Sequence, residues 1–273
     1  MNEKFLLTLL LIFALVGLAA GLVAGLFGLG GGVVIVPALI YTFAVLDFPR
    51  EIATHLAVGT SLTCILVTAS VSSWTHWQKQ AIDFRLLKPL VPGVLLGALL
   101  GGEIASRMAG SELQLAFGVF LAVVAVTMLW KVQDALFPTP RSAGLGLAGV
   151  VIGTVSALFG VGGGSMTVPY LRLCGVAMAR AVATSAALGL PIAFSGSLSY
   201  AWQGWSHDQL PTGSLGFIYL PAFVGLVVCS APASRVGAKL AHRLPAQRLQ
   251  QAFAVVLMLI AAELIGSVIM ATA

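Results

Sequence analysis

Apolar residues run along this chain in ten stretches separated by short polar breaks. In the first half they cover approximately 5–28, 32–46, 53–76, 87–105 and 113–130. In the second half they cover approximately 143–160, 164–174, 181–202, 214–232 and 249–270. About 20 apolar residues span a bilayer as a helix, and Phe5 to Leu46 contains no charged residue. The pattern therefore predicts an all-α polytopic membrane protein. The second stretch of each half is short, 15 and 11 residues. At 1.5 Å per residue it falls short of the ~30 Å hydrocarbon layer.

Composition agrees with that reading. Of 273 residues, 59% are hydrophobic and 8% are charged, against roughly a quarter charged in a soluble domain. Such a chain cannot cover a water-facing surface, so its solvent is lipid. Cys64, Cys174 and Cys229 lie in or beside apolar runs. An odd count without CxxC spacing points to small buried hydrophobes rather than a disulfide framework or zinc site. Lys4 ahead of an apolar core has the look of a signal peptide. The run continues to Leu46, however, and its downstream part has an internal duplicate, so a retained helix is expected.

That duplicate is the main organising feature. "GLFGLGGGVVIVPAL" at Gly25–Leu39 returns as "ALFGVGGGSMTVPYL" at Ala157–Leu171, identical at nine of fifteen positions. "AVGTS" at Ala57–Ser61 matches "AVATS" at Ala181–Ser185, and "GGEIASRM" at Gly101–Met108 matches "GAKLAHRL" at Gly237–Leu244. The order is kept while loop lengths vary, as in a repeated structural unit. The halves are read as 1–135 and 143–273, joined by a cytoplasmic linker at 136–142.

Basic residues orient the units, because cytoplasmic loops are enriched in Lys and Arg. If each glycine run joins two antiparallel segments, one face collects 11 basic residues and the other 3. If each glycine run lies within one continuous span, the division is 8 against 6, which orients nothing. The turn-back arrangement is expected, with inverted halves and both termini outside the cytoplasm of a cell (inner or plasma) membrane. Two full crossings and a re-entrant hairpin satisfy this parity equally.

A chain that turns back at membrane depth leaves helix-end amides and carbonyls unpaired, tolerated only beside protein or a wet cavity. Glycine accommodates the positive angles of such a turn and the close approach of a ligand. Gly30, Gly31 and Gly32, with Gly162, Gly163 and Gly164, would open the short helices, whose exposed amides and dipole ends favour an anion. Pro37 and Pro169 would kink those helices. Gly17, Gly21 and Gly25, copied by Gly149, Gly153 and Ala157, read instead as close-packing GxxxG positions. The runs fit neither GxGxxG nor a phosphate-binding loop.

A duplicated GxGGGxxxxP followed by an A-x-x-T-S segment resembles the TauE/SafE family of sulfite and sulfonate exporters, over nearly the whole chain. The resemblance implies a multi-pass permease for small sulfur-containing or organic anions. It does not carry a particular substrate or direction with it.

Thr60, Ser61, Thr184 and Ser185 occupy equivalent places in the third segments. Their hydroxyls are candidates for substrate contact, and back-bonding to their own helices is the alternative. Ser70, Ser72 and Ser73, with Ser195, Ser197 and Ser199, read as packing positions. Glu263 is the one charged residue inside the last apolar run and a candidate for proton coupling, without an acidic counterpart at Thr127. Glu103 and Arg107 read as an interfacial pair, and the tryptophans as an interfacial belt. No histidine spacing suggests a metal, and no triad, carboxylate pair or cofactor motif is visible.

The leading expectation is a secondary transporter of small anions working by alternating access between inverted halves. An anion channel of the same architecture is the alternative. An intramembrane enzyme would need paired catalytic groups, which Glu263 alone does not supply. Expected partners are a small anion and the bilayer, with a coupling proton and a second copy of the chain as candidates. Nothing points to nucleic acid.

Overall fold

The computed structural model describes residues 3–27, 31–129, 142–241 and 246–272. Within them the chain forms α1 (Glu3–Phe27), α2 (Gly32–Val45), α3 (Arg50–Gln78), α4 (Phe84–Ser106) and α5 (Gly110–Leu129). Then follow α6 (Ser142–Leu158), α7 (Gly164–Leu173) and α8 (Met178–Gln203), a small hairpin of β1 (Ser214–Leu215) and β2 (Ile218–Tyr219), α9 (Leu220–Ala241) and α10 (Ala246–Thr272). Six of these helices are long and apolar enough to cross a bilayer: α3, α4, α5, α8, α9 and α10. The protein is an all-α polytopic membrane protein.

The two short apolar stretches are short helices. α2 has 14 residues and α7 has 10, about 21 and 15 Å at 1.5 Å per residue. Each carries its proline, Pro37 or Pro169, inside the helix. The stretch expected from 214 is different. Gly213 and Gly216 take positive φ values of 91° and 55°, so residues 214–219 turn back on themselves as the hairpin before α9 begins. Local glycine geometry overrides the apolar run there. Residues 136–141 of the expected linker lie outside the described residues, and Ser142 already belongs to α6.

α3 and α8 form the centre: 83% and 67% of their most apolar windows are buried, against 28% for α10. They cross antiparallel. As α3 advances from Thr63 to Ser73, its hydrogen-bonded partners in α8 retreat from Ser197 to Ala186. α4 runs parallel to α8, with Ser195 donating to the Leu95 carbonyl, Ser199 to that of Leu99, and Gln203 to the Glu103 carboxylate. α5 and α10 pack antiparallel, Gln114 beside Ser267 and Gly118 against Ala261 and Ile265.

The closest helix contacts use small residues. Any Cβ at Gly17 or Gly21 of α1 would run into the carbonyls of Leu226 or Ser230 in α9. Gly149 and Gly153 of α6 lie equally tight on Leu90 and Val94 of α4, and Gly93, Gly97 and Gly101 of α4 answer from the other side. These GxxxG positions are packing positions, since lipid offers no hydrophobic drive and association relies on close approach. α1 thus lies along α9, and α6 along α4.

Candidate substrate site

The second glycine run first ends a helix. Gly160 has φ 64°, its amide bonds to the Ala157 carbonyl at 3.3 Å, and the Val161 amide bonds to that of Ser156 at 2.9 Å. This is a Schellman closure of α6, with glycine at the left-handed position. Four residues later α7 begins, with the Gly163 carbonyl accepting from the Thr167 amide at 2.8 Å. Gly163 caps α7 in the right-handed region, φ −53°, and no side chain caps it. The first amides of that helix are left for another acceptor.

Those amides border a cavity of about 30 Å³. Gly162, Gly163 and Gly164 line one side, Ser185 and Gly189 of α8 another, and Thr68 and Ser72 of α3 with Ser234 of α9 close it. Among the described residues no charged side chain lines it. The volume is about twice what one water requires, so the space suits a compact polyatomic ion. Ser185 is 1% exposed and its hydroxyl has no hydrogen-bond partner among the described residues. The Thr167 hydroxyl, at 0% exposure, is also unpartnered, and it lies 3.4 Å from where a Cβ on Gly163 would sit. Two buried hydroxyls without partners beside a helix N-terminus are anomalous, because buried polar groups are normally satisfied.

The first glycine run is arranged otherwise. Gly30 lies outside the described residues. Gly31 caps α2 with φ 80°, and a Cβ there would stand 3.0 Å from the Ala20 carbonyl oxygen of α1. Gly32 packs directly on the Gly160 carbonyl, which also accepts the Ser61 hydroxyl at 2.8 Å. Ser61, the counterpart of Ser185, is therefore satisfied. The two glycine runs meet: Gly162, Gly163 and Gly164 line the cavity, Gly31 and Gly32 do not, and Gly25 at the head of the first run does.

Thr60 and Thr184 are placed equivalently and away from it. The Thr60 hydroxyl accepts the Tyr219 amide at 2.9 Å, just before α9. The Thr184 hydroxyl accepts the Asp83 amide at 3.0 Å, just before α4. Thr60 thus holds the entry to α9, and Thr184 the entry to α4. The structure gathers Gly162, Gly163, Gly164 and Ser185 at one cavity and leaves Gly31, Gly32, Thr60, Ser61 and Thr184 outside it.

Glu263 is also elsewhere. It lies on the exposed side of α10, where Tyr41 of α2 hydrogen-bonds to its carboxyl. Glu103 and Arg107 form the expected ion pair at 2.7 Å. His55 is buried inside the bundle, within 2.9 Å of the Ala105 carbonyl oxygen at the end of α4. Thr68, Ser72, Thr167 and Ser234 were not among the expected site residues. One signal for Thr167 stands in the repeat itself: the second motif writes Ser165 and Thr167 where the first has Val33 and Ile35.

Fold and cavity together define a multi-pass helical membrane protein whose polar interior is built from broken helices rather than charged side chains. Residues 13–264 match the family model for Sulfite exporter TauE/SafE, and the chain belongs to that family. A probable membrane transporter protein of Haemophilus influenzae is 33% identical over 258 residues, covering 93% of this chain and 97% of its own. The probable membrane transporter protein YunE of Bacillus subtilis is 27% identical, covering 93% and 96%. MJ0441 of Methanocaldococcus jannaschii, another probable membrane transporter protein, is 25% identical, covering 90% and 91%.

Proposed function

We propose that the chain, a membrane transporter by family, is a secondary carrier of small anions working by alternating access in the cell membrane. One observation carries the site: Ser185, whose hydroxyl has no partner among the described residues, and the uncapped N-terminus of α7 line the same cavity. Helix N-termini favour negative charge, and neutral donors bind an anion without trapping it as a fixed cation would. The site is assigned to the second glycine turn, while the first anchors α2 against α1 and α6. Cavity size favours compact ions of the sulfite type over bulky organic ones.

Inverted halves, 1–135 and 143–273, are part of this reading. Its support is the antiparallel crossing of α3 with α8 and of α5 with α10, each pair occupying equivalent places in the two halves. Impermeant thiol labelling of Gln80→Cys and Gln209→Cys in intact cells tests the orientation. Gln80 should be protected and Gln209 labelled, and labelling of both sinks the inversion. Glu263, outside the cavity lining, would act in proton coupling through Tyr41 and α2. Glu263→Gln should then abolish proton-driven accumulation and spare downhill exchange; unchanged accumulation removes it from coupling.

The functional test is counterflow of sulfite and thiosulfate in proteoliposomes. Saturable exchange supports a carrier, whereas unitary currents in planar bilayers identify the channel alternative.

A further inference from the structure

A second, larger concavity lies on the bilayer-facing surface between α4, α6 and α8. It encloses about 800 Å³ and is walled by Leu96, Leu99, Leu100, Val150, Leu198 and Trp202. The α4 leucines recur at helical spacing on one stripe that ends in Glu103. Its floor is fixed rather than collapsible, because Ser195 and Ser199 tie α8 to the Leu95 and Leu99 carbonyls. Gly102 lets Ser199 sit where a Cβ would collide with it.

The groove is not apolar throughout. At one end Glu103 and Gln203 line it, and the Glu103 carboxylate binds Arg107 through Nε and Nη2 and Gln203 through its other oxygen. The Arg107 side chain is 78% exposed, which leaves guanidinium N–H groups accessible from outside the protein. Trp202, 77% exposed, stands beside this end as an interfacial aromatic does. An apolar trough with the Glu103 carboxylate on its wall, and Arg107 paired to that carboxylate beside it, complements a zwitterionic headgroup on acyl chains.

We propose that this groove is a binding site for phosphatidylethanolamine. The acyl chain lies along the leucine stripe, the phosphate accepts from Arg107, and the ammonium donates to Glu103. Phosphatidylcholine has the same phosphate but no N–H to donate, and phosphatidylglycerol has no cation for Glu103. Selectivity for the ethanolamine headgroup follows from the carboxylate.

The test is native mass spectrometry of the full chain, delipidated in mild detergent and then offered phosphatidylethanolamine, phosphatidylcholine or phosphatidylglycerol. The parent should retain phosphatidylethanolamine about tenfold better than the other two, the scale of one charge-assisted hydrogen bond. Leu198→Trp fills the trough and should lose that retention. Leu147→Trp, on an exposed face of α6 outside the groove, should keep it. Glu103→Gln keeps the shape and frees Arg107, so preference should pass to phosphatidylglycerol. Equal retention of the three lipids by the parent, or parental selectivity in Leu198→Trp or Glu103→Gln, overturns the site.

Discussion

The two glycine turns share most of their sequence and differ in what they do. At the aligned position, Gly31 is left-handed with φ 80° and Gly163 is right-handed with φ −53°. At the first turn, Gly32 lies on the Gly160 carbonyl, and Ser61 donates to that same oxygen. At the second turn, Ser185 has no partner and a cavity stands where protein would otherwise be. A repeated motif fixes where a chain can break, while its neighbours decide whether the break is a brace or a site. Here the Gly160 carbonyl accepts from Ser61, whereas Ser185 has no partner among the described residues.

The sharpest way to separate the turns is to add the same side chain to each. Gly163→Val directs its branches into the cavity, with Ile192 Cδ1 only 3.0 Å from the new Cβ. A folded, monodisperse variant without sulfite counterflow is expected, and parental counterflow would remove the anion from this turn. Gly31→Val meets a different obstacle, a positive φ and the Ala20 carbonyl. It should lose about 1–3 kcal/mol of stability, read as a lower thermal midpoint in detergent. An unshifted midpoint would show that the first turn is not the brace described.

The paired serines sharpen the contrast at smaller scale. Ser185→Ala should weaken sulfite binding about tenfold with little change in stability, since it removes a donor that has no protein partner. Ser61→Ala should do the reverse, leaving sulfite affinity intact and costing about 1 kcal/mol through the unpaired Gly160 carbonyl. Isothermal titration and thermal unfolding on the same samples distinguish them, and matching effects in both variants would erase the difference between turns. The smallest effect belongs to the threonines. Thr60→Val and Thr184→Val each strand one backbone amide, so equal losses of about 1 kcal/mol and unchanged affinity are expected. A selective loss of binding in Thr184→Val would bring that residue back to the site.

Much of the molecule was legible because lipid imposes simple rules. Apolar stretches of sufficient length become helices, and the short second stretches became α2 and α7 within a residue or two of their expected limits. The α1 and α6 glycines announced close packing by their spacing. The answering glycines Gly93, Gly97 and Gly101 of α4 went unread, since a sequence does not say which helix a stripe will meet. The 214–219 hairpin was hidden inside an apolar run, because hydropathy averages over the two glycines that bend it.

The sequence by itself determined that this protein lives in a membrane, that its chain breaks twice at glycine runs, and that short helices start there. Those properties depend on transfer of side chains into lipid and on local backbone freedom, both of which are properties of a segment. Only the tertiary structure decided which break has donors to spare. Thr60 and Thr184 sit at matching places in the sequence, and the amides their hydroxyls accept from lie 159 and 101 residues away. Ser61 and Ser185 looked equivalent until one of them reached a carbonyl 99 residues off and the other reached none. Hydrogen-bond satisfaction depends on which distant groups arrive within about 3 Å, and no local pattern of residues encodes that.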